Sequence, residues 1–299
     1  VIEFRHVSKR FGDQVAVDDF SLVIPARQVT VLVGSSGSGK TTLLRMINRM
    51  VDPTSGTVLI DGEDVAAVAP VALRRRIGYV MQSSGLLPHR RVIDNIATVP
   101  RLIGVPKAQA HARALELMDV VGLDRAFARR FPAQLSGGQQ QRVGVARALA
   151  VKPNILLMDE PFGAVDPIVR AELQHEVLRI QDQTDTTIVF VTHDIDEAFL
   201  LGDQVVILAQ GGRIVQQGSP EQILANPADD FVANFIGADR GKRRLTVSAR
   251  AGRGDDRVLV DAGGYPVGVI AAPGGKLAIA DGSPKSRSIS NKTDQAGDA

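Results

Sequence analysis

Cysteine and tryptophan are both absent from the 299 residues, and aromatic residues amount to only 4%. Without thiols the chain has no disulfides, no zinc–cysteine site and no thiol chemistry, and its redox compartment stays open. With so few aromatics, the core has to be built mainly from Val, Leu, Ile and Ala. No apolar run approaches the ~20 residues that span a bilayer, and the first residues form no apolar secretory segment. A role in a membrane process is therefore expected to need another chain for the membrane-spanning part. A large excess of one charge is missing as well, because the net charge is only +2. Residues 240–299 hold eleven Lys/Arg against six Asp, a balance of +5, which leaves residues 1–239 at −3. The basic excess belongs to the tail, where it points to solubility or weak contact with anionic surfaces, and no nucleic-acid partner is expected.

What is present suits an ordinary globular protein. Hydrophobic residues make up 44% and charged residues 23%, enough for one large or two modest domains. The first ~30 residues alternate apolar and polar positions (Ile2, Phe4, then Val15, Val17, Phe20, Leu22, Ile24), as short antiparallel strands do. Thr57 to Ile60 reads as a strand, Asp61-Gly62 as a turn, and Ile77 to Met81 as a short buried strand ending at Gln82. Between about 89 and 150 the pattern changes: Ala110, Ala114, Leu117, Met118 and Val121 recur at helical spacing, with Gly122 as the stop. Strand–helix alternation returns with strands at 155–158 and 187–192 around a helix over about 167–182. That alternation implies parallel pairing and an α/β core. Val205 to Gln217 reads as a hairpin turning at Gly211-Gly212. Ser219-Pro220-Glu221 opens a last helical region running to about Ile236. Residues 281–299 read as disordered.

The motif that dominates the chain is Gly34-Ser35-Ser36-Gly37-Ser38-Gly39-Lys40-Thr41, an uninterrupted match to G-x-x-x-x-G-K-[ST]. It lies between the apolar run 29–33 and a helix-like segment with Leu43, Leu44 and Ile47, the context a phosphate loop requires. Glycines let backbone N–H groups turn inward around a polyphosphate, and the helix N-terminus adds its positive end. Lys40 reaches the β- and γ-phosphates, and the Thr41 hydroxyl is placed for Mg²⁺.

About 120 residues later, Ile155-Leu156-Leu157-Met158 runs into Asp159-Glu160-Pro161. A buried strand of this kind presents Asp159 at the sheet edge that faces the nucleotide in phosphate-loop enzymes, as a Mg²⁺ ligand direct or through water. Glu160, one residue further out, is positioned to orient or deprotonate the attacking water. Leu135-Ser136-Gly137-Gly138-Gln139 opens a helical run and forms a second anion site. One nucleotide seldom needs two clamps from one chain, but a head-to-tail dimer can use the second on its partner's γ-phosphate.

With these motifs in this order, residues 1–237 resemble the ATP-binding subunit of an ATP-binding-cassette (ABC) transporter. The resemblance implies an α/β phosphate-loop fold with a RecA-like core, an N-terminal antiparallel β subdomain and a helical subdomain inserted at about 89–150. It implies ATP binding by Phe11, by the loop residues up to Thr42, by Gln82 and by His193. Phe11 stacks on adenine in such proteins, Gln82 touches Mg²⁺ and senses the membrane subunit, and His193 bonds the γ-phosphate and keeps Glu160 and water in register. Asp166 falls in the loop that communicates across the dimer. Two chains are expected to sandwich two ATP molecules and to drive membrane permease subunits served by an extracytoplasmic solute-binding protein, at the cytoplasmic face of the membrane.

The stretches 43–49, 60–64, 85–89 and 161–164 are similar to importers of quaternary-amine osmoprotectants such as glycine betaine, choline and carnitine. Residues 238–280 form a small extension, in which 258–270 resembles one piece of a regulatory CBS repeat. Another small-solute importer, or an ABC protein acting on nucleic acid or ribosomes, stays open as an alternative. The latter usually carries coiled-coil insertions, zinc modules or tandem cassettes, and none is visible in this sequence.

Overall fold

A computed structural model describes residues 1–163, 165 and 167–237, together with the strands at 246–248, 257–260, 266–270 and 278–279. The chain divides into two compact units, Val1–Ile236 and Gly237–Ala299.

The first unit begins with a long hairpin, β1 (Ile2–Phe11) and β2 (Gln14–Ile24), then β3 (Val29–Gly34) and α1 (Lys40–Ile47). There follow β4 (Ser55–Ile60), β5 (Glu63–Asp64), α2 (Pro70–Arg76) and β6 (Ile77–Val80). Four helices come next: α3 (Val92–Ile96), α4 (Thr98–Leu102), α5 (Lys107–Val120) and α6 (Gly137–Leu149). The alternation then resumes with β7 (Ile155–Asp159), α7 (Pro167–Thr184), β8 (Thr187–Thr192), α8 (Ile195–Leu201), β9 (Gln204–Leu208) and β10 (Ile214–Gly218). Two short helices, α9 (Pro220–Ala225) and α10 (Asp230–Phe235), complete the unit.

Two sheets carry these elements. One is antiparallel, in the order β2-β1-β4-β5, and the other runs β10-β9-β3-β8-β7-β6, parallel except for β10. Every residue of β3, β7 and β8 is buried, because helices cover both faces of a parallel sheet and only near-continuous apolar runs tolerate that. In the antiparallel hairpin burial is uneven, with Ile2, Phe4, Val7, Val17, Phe20, Leu22 and Ile24 turned inward. Phe4 meets Phe20 edge-on at 5.2 Å. These residues share one core with Leu43, Leu44, Met46 and Ile47 of α1, so the phosphate loop is fixed to both sheets.

The helical stretch expected between 89 and 150 is present, and α5 buries Ala110, Ala114, Leu117 and Met118. The last helical region differs from its reading. It is two helices, because Pro227 has no N–H to donate and its ring disfavours a helical residue before it; Asn226 accordingly sits at φ −140°, ψ 76°. Each helix has its own cap: Ser219 Oγ accepts from Gln222 N at 3.3 Å, and Asp229 Oδ1 accepts from Val232 N at 2.8 Å.

The second unit contains β11 (Thr246–Ser248), β12 (Arg257–Val260), β13 (Pro266–Ile270) and β14 (Ala278–Ile279), paired antiparallel in that order. Residues 281–299, read from composition as disordered, lie outside the described residues.

Candidate functional site: a phosphate cleft at the edge of the parallel sheet

Strand β3 delivers the loop into the sheet edge beside β9, with Gly34 opposite Leu208. A Cβ on Gly34 would lie 2.3 Å from the Leu208 carbonyl oxygen, so no larger residue fits there. Gly39 enters α1 at φ +88°, and a Cβ there would stand 2.7 Å from the Ala16 carbonyl oxygen. These two glycines let the loop close directly onto the start of the helix.

Lys40, the first residue of α1, is only 5% exposed. Its Nζ donates to the carbonyl oxygens of Gly34 and Ser35, both at 2.8 Å, and to Ser38 Oγ at 3.3 Å. Burial pushes this ammonium below the usual lysine range, while the carboxylates of Glu160 and Asp159 push it back up. A buried cation whose hydrogen bonds all go to neutral carbonyls and a hydroxyl can exchange them for phosphate oxygens, which makes it a strong anion attractor.

Strand β7 ends on Asp159, which pairs with Val191 of β8 and is 2% exposed. Its Oδ1 accepts from Thr41 Oγ1 at 2.8 Å and its Oδ2 from the Tyr79 hydroxyl at 3.3 Å, with an Arg45 guanidinium nitrogen at 3.7 Å. Burial pushes the Tyr79 hydroxyl pKa up, and the Asp159 charge adds to the rise, so the phenol stays a proton donor.

At Glu160 the backbone turns to φ +44°, and its N–H donates to the Val191 carbonyl at 3.0 Å. The kink sends the two neighbouring acids different ways. Glu160 Oε2 accepts from Gln82 Nε2 at 3.0 Å and lies 3.3 Å from His193 Nδ1. Gln82, Glu160 and His193 thus meet on one side of a cleft of ≈ 440 Å³ whose other side is Ser36, Gly37, Gly39, Lys40, Thr41 and Thr42.

Not every expected residue is in this cleft. Ser136 caps α6 in a reciprocal box, with Gln139 N donating to Ser136 Oγ at 3.3 Å and Ser136 N donating to Gln139 Oε1 at 3.0 Å. Leu135 is buried and anchors that turn, whereas Ser136 and Gly137 face outward, with Gly138 half-buried; none of them lines the cleft. Phe11 is half exposed, its ring faced by Lys9 Nζ at 5.0 Å, and it also lies off the cleft wall. Asp166 lies outside the described residues. Sequence reasoning passed over Tyr79, Arg45, Thr192 and Glu197, which surround the acids and the histidine from distant or unremarkable positions.

Among the described residues no cluster of three or more His, Asp or Glu forms a metal site. Mg²⁺ nonetheless suits what is there. It takes hard oxygen ligands, and with phosphates present it uses one or two carboxylates; the Thr41–Asp159 pair supplies a hydroxyl and one carboxylate at the cleft floor.

Residues 17–163 match the family model described as ABC transporter. The chain is 51% identical over 252 residues to the glycine betaine uptake system ATP-binding protein YehX of Escherichia coli K12, covering 84% of this chain and 82% of YehX. The chain belongs to the ABC transporter family. The osmoprotectant import ATP-binding protein OsmV of Salmonella typhimurium is 50% identical over 256 residues, 83% of this chain and 67% of OsmV. Among solved structures, the dimeric bacterial ABC transporter cassette MJ0796 superposes with a TM-score of 0.68 at 33% identity, covering 74% of this chain and 99% of that one. A post-hydrolysis dimer of MJ0796 bound to ADP and Pi superposes at 0.67 and 32% identity, covering the same shares. The protein is thus an ABC ATPase that binds ATP and hydrolyses it, and the parallel sheet, antiparallel sheet and inserted helices are the parts of its cassette. Among the described residues no helix is long and apolar enough to cross a membrane.

Proposed function

We propose that this ABC ATPase powers an importer of quaternary-amine osmoprotectants of the glycine betaine, choline and carnitine type. The names of the curated relatives support the cargo class. The observation that carries the chemistry is the convergence of Gln82 and His193 on one carboxylate oxygen of Glu160, across the cleft from Lys40.

In this reading ATP lies with its β- and γ-phosphates along the loop 34–41. Lys40 exchanges its carbonyl partners for phosphate oxygens and holds the growing negative charge in line. Thr41, Asp159 and Gln82 would hold Mg²⁺, which would supply neutralisation of phosphate charge. Glu160 takes the proton of a water whose oxygen forms the new bond to the γ-phosphorus as the bond to the β–γ bridging oxygen breaks, giving ADP and phosphate. His193 donates to the γ-phosphate and keeps Glu160 aimed. Phe11 offers its half-exposed ring to adenine, as exposed apolar rings suit base stacking.

The turn at Ser136, Gly137 and Gly138 completes the site of a second copy, so the working unit is an ATP-bound head-to-tail homodimer. Asp166 is given the role of communicating between the two copies. Permease subunits bear on the dimer from the membrane, with a solute-binding protein on the far side, and the chain works peripherally at the cytoplasmic face. No nucleic-acid partner is part of this reading.

The deciding experiment co-expresses the chain with its permease and measures ATPase stimulation by glycine betaine, choline and carnitine. Stimulation by one or more of them is expected, and a flat response to all three rejects the cargo class. In the same preparation Glu160→Gln should retain ATP binding and lose about 10²- to 10⁴-fold in turnover, the range general-base catalysis supplies. Wild-type turnover in that variant removes Glu160 from its role.

A further inference from the structure

His193 is an exposed residue between two anchored neighbours. Thr192, the last residue of β8, is 2% exposed; its Oγ1 donates to Glu197 Oε2 at 2.7 Å and accepts from Asp194 N at 3.0 Å. Asp194 on the other side caps α8, its Oδ1 accepting from Asp196 N at 2.9 Å and Glu197 N at 3.4 Å. Glu197 itself is only 7% exposed. Helix α7 reaches the same cluster: Gln174 Nε2 lies 3.5 Å from Glu197 Oε1, and Arg170 lies 3.8 Å from both Glu197 and Asp194. The His193 side chain, by contrast, is 62% exposed.

A buried carboxylate is an expensive way to join two helices and a strand. An apolar side chain of similar volume is often as stable or more so, and burial already pushes the Glu197 carboxyl above the usual range. What Glu197 does that an apolar residue cannot is accept the Thr192 hydroxyl proton, which sets the direction of the backbone entering His193. The same cluster shares with Glu160 and His193 the wall of a small polar chamber of ≈ 60 Å³.

We propose that Glu197 and Thr192 are positioning residues that hold the His193 turn against α7 and α8, so that its ring faces the γ-phosphate position. This rests on the phosphate-facing role given to His193 above. Its signature is selective: ATP, which has a γ-phosphate, loses affinity when the clamp is opened, and ADP does not.

The test uses the full chain in the hydrolysis-blocked Glu160→Gln background and measures ATP and ADP dissociation constants by displacement of a fluorescent nucleotide. Thr192→Val and Glu197→Leu should each weaken ATP about tenfold, the factor carried by one hydrogen bond of ordinary net strength, with ADP changed less than about twofold. Thr192→Ser and Glu197→Gln keep the donor and the acceptor and should bind both nucleotides as the background does. His193→Ala should weaken ATP alone, and adding Thr192→Val to it should cost nothing more. Equal losses of ATP and ADP in Thr192→Val, or equal losses in Thr192→Val and Thr192→Ser, overturn the inference, because both mark a packing role. If His193→Ala leaves the ATP-to-ADP ratio unchanged, the phosphate-facing role fails first and the clamp falls with it. If His193→Ala lowers the ratio and Thr192→Val does not, only the clamp is wrong.

Discussion

The chain builds two glycine-rich helix starts, and they are made in opposite ways. At 34–41 the loop is locked into the sheet: Gly34 sits against Leu208, Gly39 against Ala16, and the Lys40 ammonium is buried among loop oxygens. At 136–139 the turn is exposed and satisfied by its own side chains, Ser136 and Gln139 capping each other with no cation nearby in the turn. A helix start with a preformed buried cation can hold an anion alone. One that offers only backbone N–H groups and the dipole's end binds weakly, by about 0.3–1 kcal/mol per charge at an exposed site, and needs the anion brought to it. The difference fits the proposed dimer, in which the exposed turn of one copy would complete the phosphate grip of the other.

The sharpest way to break that contrast is to remove the cation. Lys40→Met should weaken ATP binding to the isolated chain by about 10- to 100-fold, the range for hydrogen bonds to charged groups, as read by equilibrium nucleotide binding. Ser136→Ala should leave that same affinity within about twofold, yet lower the turnover of the assembled transporter about tenfold through loss of one charge-assisted contact. Equal effects of both variants on the isolated chain would collapse the distinction.

A smaller effect should come from the floor of the cleft. Tyr79→Phe removes the hydroxyl on Asp159 Oδ2 and should cost about 1 kcal/mol of stability in denaturant unfolding, because a buried acceptor loses its partner. Ser136→Ala should cost a similar ~1 kcal/mol by removing a helix cap, so stability alone does not tell the two regions apart while nucleotide affinity does.

The smallest expected effect depends on pH. Glu197 has its carboxyl pKa raised, chiefly by burial and partly by Asp194, against lowering by Thr192, Arg170 and His193. The native state therefore holds this proton more tightly than the unfolded chain does. The stability it contributes is full below the ordinary glutamate value of about 4.3 and is lost as pH rises through the higher folded value. Glu197→Gln should accordingly raise Tm at pH 7 relative to wild type, with the gain shrinking toward pH 4; a gain that grows on acidification has the wrong sign.

Much of this was legible in the sequence because the decisive signals are local. The loop 34–41, the strand running into Asp159 and Glu160, and the Ser136 turn each occupy fewer than ten consecutive residues, and backbone physics ties glycine or a buried apolar run to each. The network behind them is not local. Tyr79 reaches Asp159 across 80 residues and Gln82 reaches Glu160 across 78, and nothing in either strand marks the partner. Glu197 and Thr192 are five residues apart but read as a helix-surface acid and a strand-end hydroxyl; only the packing of α8 onto β8 and α7 buries them together. The break between α9 and α10 is local too, since Asn226-Pro227 is a helix-stopping pair.

Adjacent acids on a strand ordinarily alternate by the pleat, one up and one down. Here the left-handed step at Glu160 replaces that alternation with a change of depth: the shorter side chain stays sealed at the floor and the longer one rises to the rim. Their order is therefore not exchangeable. With the identities swapped, an extra methylene would be forced into a sealed corner while the acid at the rim would fall short of both its tethers, so two conservative changes together would disable a machine that neither composition nor charge would show to be altered.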